Sequence, residues 1–210
     1  MHNLIWLPVW MGISGTAGAG GTGIILLPPP HTEGDMPLMQ ALKARRSTRE
    51  FSASPLPVQV LSDLLWAADG VNRPESGKRT APTAKDMREI FVYVITATGA
   101  HIYEPDSHAL RKVASGDLRH LTGIQDFAAQ ATLDLVYVAN LDRMDTSDEN
   151  KRFYSATDTG FIAQNVYLFC ASAGLATVVR ASLDRPALAA ALGLGAHQQI
   201  MLAQTVGYPE

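Results

Sequence analysis

Residues 90–96 read Ile-Phe-Val-Tyr-Val-Ile-Thr, an unbroken run of β-branched and aromatic side chains. A short run with no polar face predicts a strand covered on both sides. Working outward, Gly99-Ala100 turns towards a second strand over His101 to Glu104, and Leu133 to Ala139 is strand-like with only Asp134 out of pattern. Leu175 to Ala181 and Ile200 to Val206 read as further strands. Helices are expected between them: Pro37 to Ala44, and Val58 to Ala68, whose apolar stripe is opened by Pro57. Shorter ones are expected over Ser107 to Val113, Gly116 to Leu121 and Asp126 to Ala131, and another from the N-cap Asp184 through Leu192. The longest, Tyr154 to Ala173, reads as apolar nearly all round, hence buried in the core or at a subunit interface, and Gly174 closes it. Helices and strands interleave without strict βαβ order, so the fold class is α+β.

The chain has 210 residues, 47% of them apolar, and a net charge of −3. That supports one sizeable core and gives no electrostatic reason to expect nucleic acid as a partner. Cys170 is the single cysteine, so no internal disulfide can form, and its apolar helical setting suits an inert thiol. CxxC and HExxH spacings are missing and the six histidines do not cluster with carboxylates, so no metal site is expected.

The first 35 residues differ from the rest. Leu4 to Ile13 is apolar but too short to span a bilayer. Ser14 to Gly23 consists of Gly, Ala, Ser and Thr, and Ala17-Gly18-Ala19 has the form of a signal-peptidase site, although no Lys or Arg precedes the apolar run. Residues 1–23 therefore read as a cleaved export signal, a tail outside the fold or a misassigned start, which leaves export and the cytoplasm both open. Residues 24–35, with Pro28-Pro29-Pro30, read as an extended arm, and 36–210 as the folded body.

Arg45-Arg46-Ser47-Thr48-Arg49-Glu50-Phe51 places three guanidinium groups and two hydroxyls within five residues, just after the apolar Leu38, Met39 and Leu42. Guanidinium forks and hydroxyls suit a phosphate; a solvated basic face at a helix C-terminus is the alternative. Asp69 to Thr83 lacks periodicity, and a loop of that length in a compact domain is usually functional.

Four segments, in order, resemble the FMN-dependent nitroreductase family. Arg45 to Phe51 is similar to its opening Arg-x-Ser-x-Arg/Lys motif. Gly77-Lys78-Arg79-Thr80-Ala81-Pro82-Thr83-Ala84-Lys85-Asp86 resembles its flavin loop. Asp158 to Gly160, then Gln164-Asn165, running into Ala173-Gly174-Leu175-Ala176-Thr177, resembles its central helix and stop. Val206-Gly207-Tyr208-Pro209 resembles its close. The wording of the second and third segments is similar to the branch that holds peptide azoline dehydrogenases.

The resemblance implies a nitroreductase-like fold, a central and mostly antiparallel sheet flanked by helices, in an intertwined homodimer with FMN at the subunit interface. It implies that Arg45, Ser47 and Arg49, with Arg46, hold the FMN phosphate and ribityl chain. Pro82, Thr83, Ala84 and Asp86 would reach the isoalloxazine from the partner subunit, and Gln125 would meet the ring. Val178, Val179, Arg180 and Ala181 would pass the flavin face and N5 edge, largely through backbone. Thr83 and Asp86 depart from the family's Ser and Asn, and Asp86 would bring negative charge near the flavin. Arg180 is the candidate to replace a basic C-terminal arm found in longer relatives.

The implied activity is ping-pong transfer of hydride or electron pairs through flavin N5 to a small organic acceptor of nitroaromatic, quinone or enone type, with NAD(P)H as a candidate donor. Dehydrogenation of a peptide azoline, or a non-catalytic flavin-binding dimer, are the alternatives. No side chain is singled out as a catalytic acid or base, since the cofactor carries the difficult chemistry. Gln164-Asn165 would meet flavin, the interface or backbone carbonyls. Asp158 reads as a residue near a helix N-terminus. Tyr167 reads as packing, and Lys78 and Lys85 as surface residues or substrate-loop bases.

Overall fold

The computed structural model describes residues 23–34 and 36–210; the signal-or-tail reading of 1–23 falls almost wholly outside them. The chain forms β1 (Ile24–Leu26), α1 (Leu38–Ala44), α2 (Val58–Asp69), β2 (Val71–Arg73), β3 (Lys78–Arg79), β4 (Ile90–Thr96), β5 (Gly99–Glu104), β6 (Ala109–Ser115), α3 (Asp126–Gln130), β7 (Leu133–Asn140), α4 (Asp148–Ser172), β8 (Ala176–Arg180), α5 (Arg185–Leu192) and β9 (Gln198–Gly207). Seven strands make one sheet in the order β1-β6-β5-β4-β7-β9-β8, and β2 and β3 pair apart as a small hairpin. Every pairing is antiparallel.

The central strands are buried on both faces. Side chains alternate across a strand, so Val92, Val94, Leu135 and Tyr137 pack with α2 and α4, through Leu61, Leu64, Leu65, Ile162 and Val166. Tyr93, Ile95, Val136 and Val138 face the other way and pack with Leu188 and Leu192 of α5 and with Ile200. This is why the sequence of β4 shows no polar face.

Local signals set the helix ends. Gly174 adopts φ +69 and Leu175 donates back to the Cys170 carbonyl at 2.8 Å, a left-handed stop. Asp184 Oδ1 accepts from Ala187 N at 3.0 Å, and Gly193 at φ +64 closes α5.

Several expectations need correction. Ser107 to Val113 is not helical: Ala109–Ser115 is a strand held between β5 and β1. Its neighbours on both sides satisfy its backbone, and that outweighs a local preference. Gly116 to Leu121 contributes only a 3-10 turn over Arg119–Leu121. The long helix begins at Asp148 rather than near Tyr154, because Ser147 Oγ caps Asn150 N at 3.3 Å and Asp148 and Glu149 sit in the first turn, where acids are favoured. It is also not apolar all round. Ser155, Asp158, Thr159, Ile162, Ala163, Val166 and Cys170 form one buried stripe, while Phe153 and Phe161 are 64% and 43% exposed. Asp158 therefore lies well inside the helix.

The arm from Ile24 is joined to this body. Ile24–Leu26 pairs with β6, Ser62 donates to the Pro28 carbonyl at 2.6 Å and Gln59 to that of Pro29 at 2.9 Å.

Candidate functional site

α1 ends at Arg45, whose backbone turns extended and sends the next residues alongside β8, where Thr48 N donates to the Thr177 carbonyl at 3.0 Å. Tyr167, on α4, is the hub beneath them. Its hydroxyl lies 2.8 Å from Ser47 Oγ and accepts from Val179 N at 3.0 Å. The Arg45 guanidinium stands 5.2 Å from its ring centroid, a cation–π distance. Arg45, Ser47 and Val179 are thus drawn to one junction, while the Val178 side chain packs with Phe51, Ala131 and Ala176. Arg46 and Thr48 line a cleft of about 140 Å³ with Tyr167, Cys170, Thr177 and Pro209. Arg46 and Arg49 are exposed, and among the described residues no partner engages their guanidinium groups. The Cys170 thiol in this wall is pushed well above its ordinary pKa by burial, which leaves it unreactive.

Arg180 does not point to this junction as a free cation. Its side chain is buried, pairs with Asp134 and also donates to Thr205 Oγ1 and to the Thr122 carbonyl. The role of a substitute basic arm therefore fails for its side chain, because its donors are spent inside the fold. What it does instead is pin residues 122–125 beside β8. Ile124 N donates to the Ser182 carbonyl at 3.3 Å, and a Cβ at Gly123 would collide with the Arg180 guanidinium. This brings Gln125 close in the fold to the end of β8 and Ala181. The Gln125 Oε1 is buried with no partner among the described residues, an arrangement that calls for a reason.

The second predicted segment lies at a different station on α4. Ala84 N donates to Asp158 Oδ2 at 2.8 Å, and Thr83 Oγ1 to Glu89 Oε2 at 3.3 Å. Lys85, Asp86 and Arg88 all have left-handed φ, of 52, 57 and 51. Strain of this kind survives only where surrounding structure over-determines it. Asp86 is gripped by Arg88 through two bonds of 2.9 Å, which holds its carboxyl below the usual range. Its charge is therefore neutralised by a neighbour. Glu89 is raised, first by burial and then by the nearby Asp158 carboxylate.

Asp158 and Tyr167 are nine residues apart on α4, or roughly 13 Å along the axis at 1.5 Å per residue. One protomer does not bring Pro82, Thr83, Ala84 and Asp86 to the Arg45 junction. Asn165 donates to the Ala68 carbonyl at 3.4 Å and Gln164 is exposed. Lys78 and Lys85 are exposed, with Lys85 Nζ 6.0 Å from the Tyr154 ring centroid.

The sequence does not mark Tyr167, Glu89 or Thr122 as site residues. Tyr167 carries a usable signal: a tyrosine in an apolar helical run must find a partner for its hydroxyl. Glu89 and Thr122 carry none.

The family model described as "Nitroreductase family" matches residues 42–208. A candidate nitroreductase of Methanocaldococcus jannaschii is 33% identical over 155 residues, covering 69% of this chain and 78% of that protein. A crystal structure of a candidate nitroreductase from Ralstonia eutropha JMP134 superposes with a TM-score of 0.85 at 46% identity, covering 90% of each chain. The NADPH:FMN oxidoreductase of Vibrio harveyi, complexed with NAD+, shares the fold with a TM-score of 0.63 at 19% identity, covering 82% of this chain and 69% of that one.

Proposed function

The chain belongs to the nitroreductase family, and from that premise we propose that it is an FMN-dependent oxidoreductase, active as a homodimer on a small organic acceptor. The observation that carries the reading is the junction of Arg45, Ser47, Tyr167 and Val179. It joins a phosphate-type donor set to the backbone of a buried strand.

The residues present fit the cofactor. Three arginines within five residues find no carboxylate among the described residues, so their charge is available to a dianionic phosphate. Arg45, Arg46, Ser47 and Arg49 hold the phosphate and ribityl chain in this reading. The unpartnered Gln125 Oε1 accepts from the ring, and the Val178 to Ala181 backbone lines its edge. Bound FMN supplies hydride acceptance at N5 and delivery of the electron pair to an acceptor. The protein's share is to orient the ring, exclude water and supply fixed donors, which act without reorganising as charge develops.

Two observations support the dimer in this reading. Leu38, Met39 and Leu42 on α1, with Phe153 and Phe161 on α4, are exposed large apolar side chains, of the kind that mark an interface when contiguous. The Pro82 to Asp86 loop, separated from the Arg45 junction within one protomer, would reach the ring from the partner subunit. The Vibrio harveyi neighbour's name adds FMN and a nicotinamide donor by likeness of fold.

The test is an absorbance spectrum of the purified protein, followed by anaerobic addition of NADH or NADPH. A yellow protein that bleaches is expected, and a colourless protein that takes up no added FMN counts against the proposal. Turnover with a nitroaromatic, quinone or enone then names the acceptor.

A further inference from the structure

The β2–β3 hairpin and the segment that follows it enclose a cleft of about 290 Å³ that borders the Pro82 to Asp86 loop and includes none of the Arg45–Arg49 cluster. Arg73, Lys78, Arg79 and Arg88 line it, and Asp86 is the only carboxylate among the lining residues. The hairpin register sets Arg73 directly opposite Lys78. Like charges at such a pair destabilise a sheet.

Each cation keeps an unspent donor. Arg79 gives Nη1 to Asp69 at 2.6 Å, yet its Nε is buried with no partner among the described residues, in a side chain only 9% exposed. Arg73 spends Nε on Asn72 and Nη2 on the Arg79 carbonyl, at 3.0 and 2.9 Å. Arg88 spends Nε and Nη2 on Asp86, while its Nη1 lies 3.7 Å from where a Cβ on Gly77 would stand, against the hairpin turn. Lys78 is exposed and its amine is unpaired among the described residues. Other acids temper this field: Asp69 behind Arg79, and Asp106, which acts on both Asp69 and Arg88. Burial pushes the Asp69 carboxyl up to about 7 against the pull of Arg79. The held guanidinium forks with spare N–H groups match phosphate oxygens.

We propose that this cleft binds the phosphate or pyrophosphate group of a ligand the enzyme turns over, at a site separate from the Arg45–Arg49 cluster. The assignment of that ligand as a nicotinamide dinucleotide rests on the oxidoreductase reading above; the phosphate site itself does not. Pro82 and Thr83 line the cleft too, so a phosphate held here places the rest of its molecule beside the loop assigned to the flavin.

The test uses FMN-loaded full-length protein and the variants Lys78→Glu and Arg73→Ala, both at exposed positions. Inorganic pyrophosphate is titrated calorimetrically, and KM is measured for NADH, NADPH and 1-benzyl-1,4-dihydronicotinamide, a donor with no phosphate. Lys78→Glu should weaken pyrophosphate binding at least tenfold and raise KM for the dinucleotides similarly, leaving KM for the benzyl donor within twofold. Loss of pyrophosphate binding with unchanged dinucleotide KM would keep the phosphate site and assign it to another phosphorylated ligand. No pyrophosphate binding by the parent protein, or equal binding by both variants with unaltered melting curves, overturns the proposal. A protein without flavin would fail the oxidoreductase reading alone, since the titration needs no turnover.

Discussion

Two stations along α4 carry the candidate chemistry, and they are built on opposite principles. At Tyr167 a neutral hydroxyl ties Ser47 to Val179 while the neighbouring Arg46 and Arg49 stay open. At Asp158 the chain is over-determined: a buried carboxylate holds Ala84, Glu89 lies nearby, and three residues sit in left-handed backbone. The first station leaves its charge unspent among the described residues. The second consumes most of its charge to hold a loop shape. A mutation at an open charge should therefore change binding, whereas a mutation at a spent charge should change stability.

Arg180→Ala gives the largest expected effect. It would leave the fully buried Asp134 without its partner, and stripping one member from a buried pair costs about 3–5 kcal/mol. Chemical denaturation should register that loss; a change under ~1 kcal/mol would mean the pair is not structural.

The next effect is on pH. Asp69, pushed up to about 7, and Asp134, pushed up to about 6, bind protons more readily folded than unfolded. Their contribution is full below the unfolded value of 3.8 and is lost as pH rises through the folded values. Asp86 opposes it, since its lowered carboxyl favours folding above its unfolded value, but that pair is solvent-screened. Between about pH 5.5 and 7.5 stability should thus fall by on the order of 2–3 kcal/mol, because each tenfold difference in proton affinity between folded and unfolded chain is worth about 1.4 kcal/mol. Denaturant midpoints that stay flat or climb over this range would contradict the burial argument.

Arg49→Ala sharpens the comparison, because its guanidinium is open. FMN affinity should drop by about 1.5–3 kcal/mol, the range for a hydrogen bond to a charged group, with the melting temperature of the flavin-free protein unmoved. Unaltered flavin content after purification would remove Arg49 from the phosphate site. Tyr167→Phe is the smallest expected change, about 1–2 kcal/mol in stability from the loss of the hydroxyl that joins Ser47 and Val179. Fluorescence titration with FMN should show it weakened too; full affinity would separate the hydroxyl from the site.

Local chemistry makes much of this molecule readable from its residues. The β-branched runs of β4 and β7, the Gly174 stop and the Asp184 cap each carry their signal within a few positions, because strand burial and helix ends are decided by nearby backbone and side-chain geometry. The Arg45 to Arg49 cluster is readable for the same reason: it is contiguous. Asp134 stands out as the one break in an apolar strand, but nothing near it names Arg180 as its partner. That pairing crosses from β7 to β8 and spends a guanidinium that otherwise reads as available. The strand at Ala109–Ser115 and the edge strand at Ile24–Leu26 likewise exist only because other strands satisfy their backbone. Periodicity and capping belong to the chain itself. Which charges are spent and which remain open depends on residues far apart in sequence meeting in a dry interior, where an unpaired polar group is too costly to leave, and only the tertiary fold arranges those meetings.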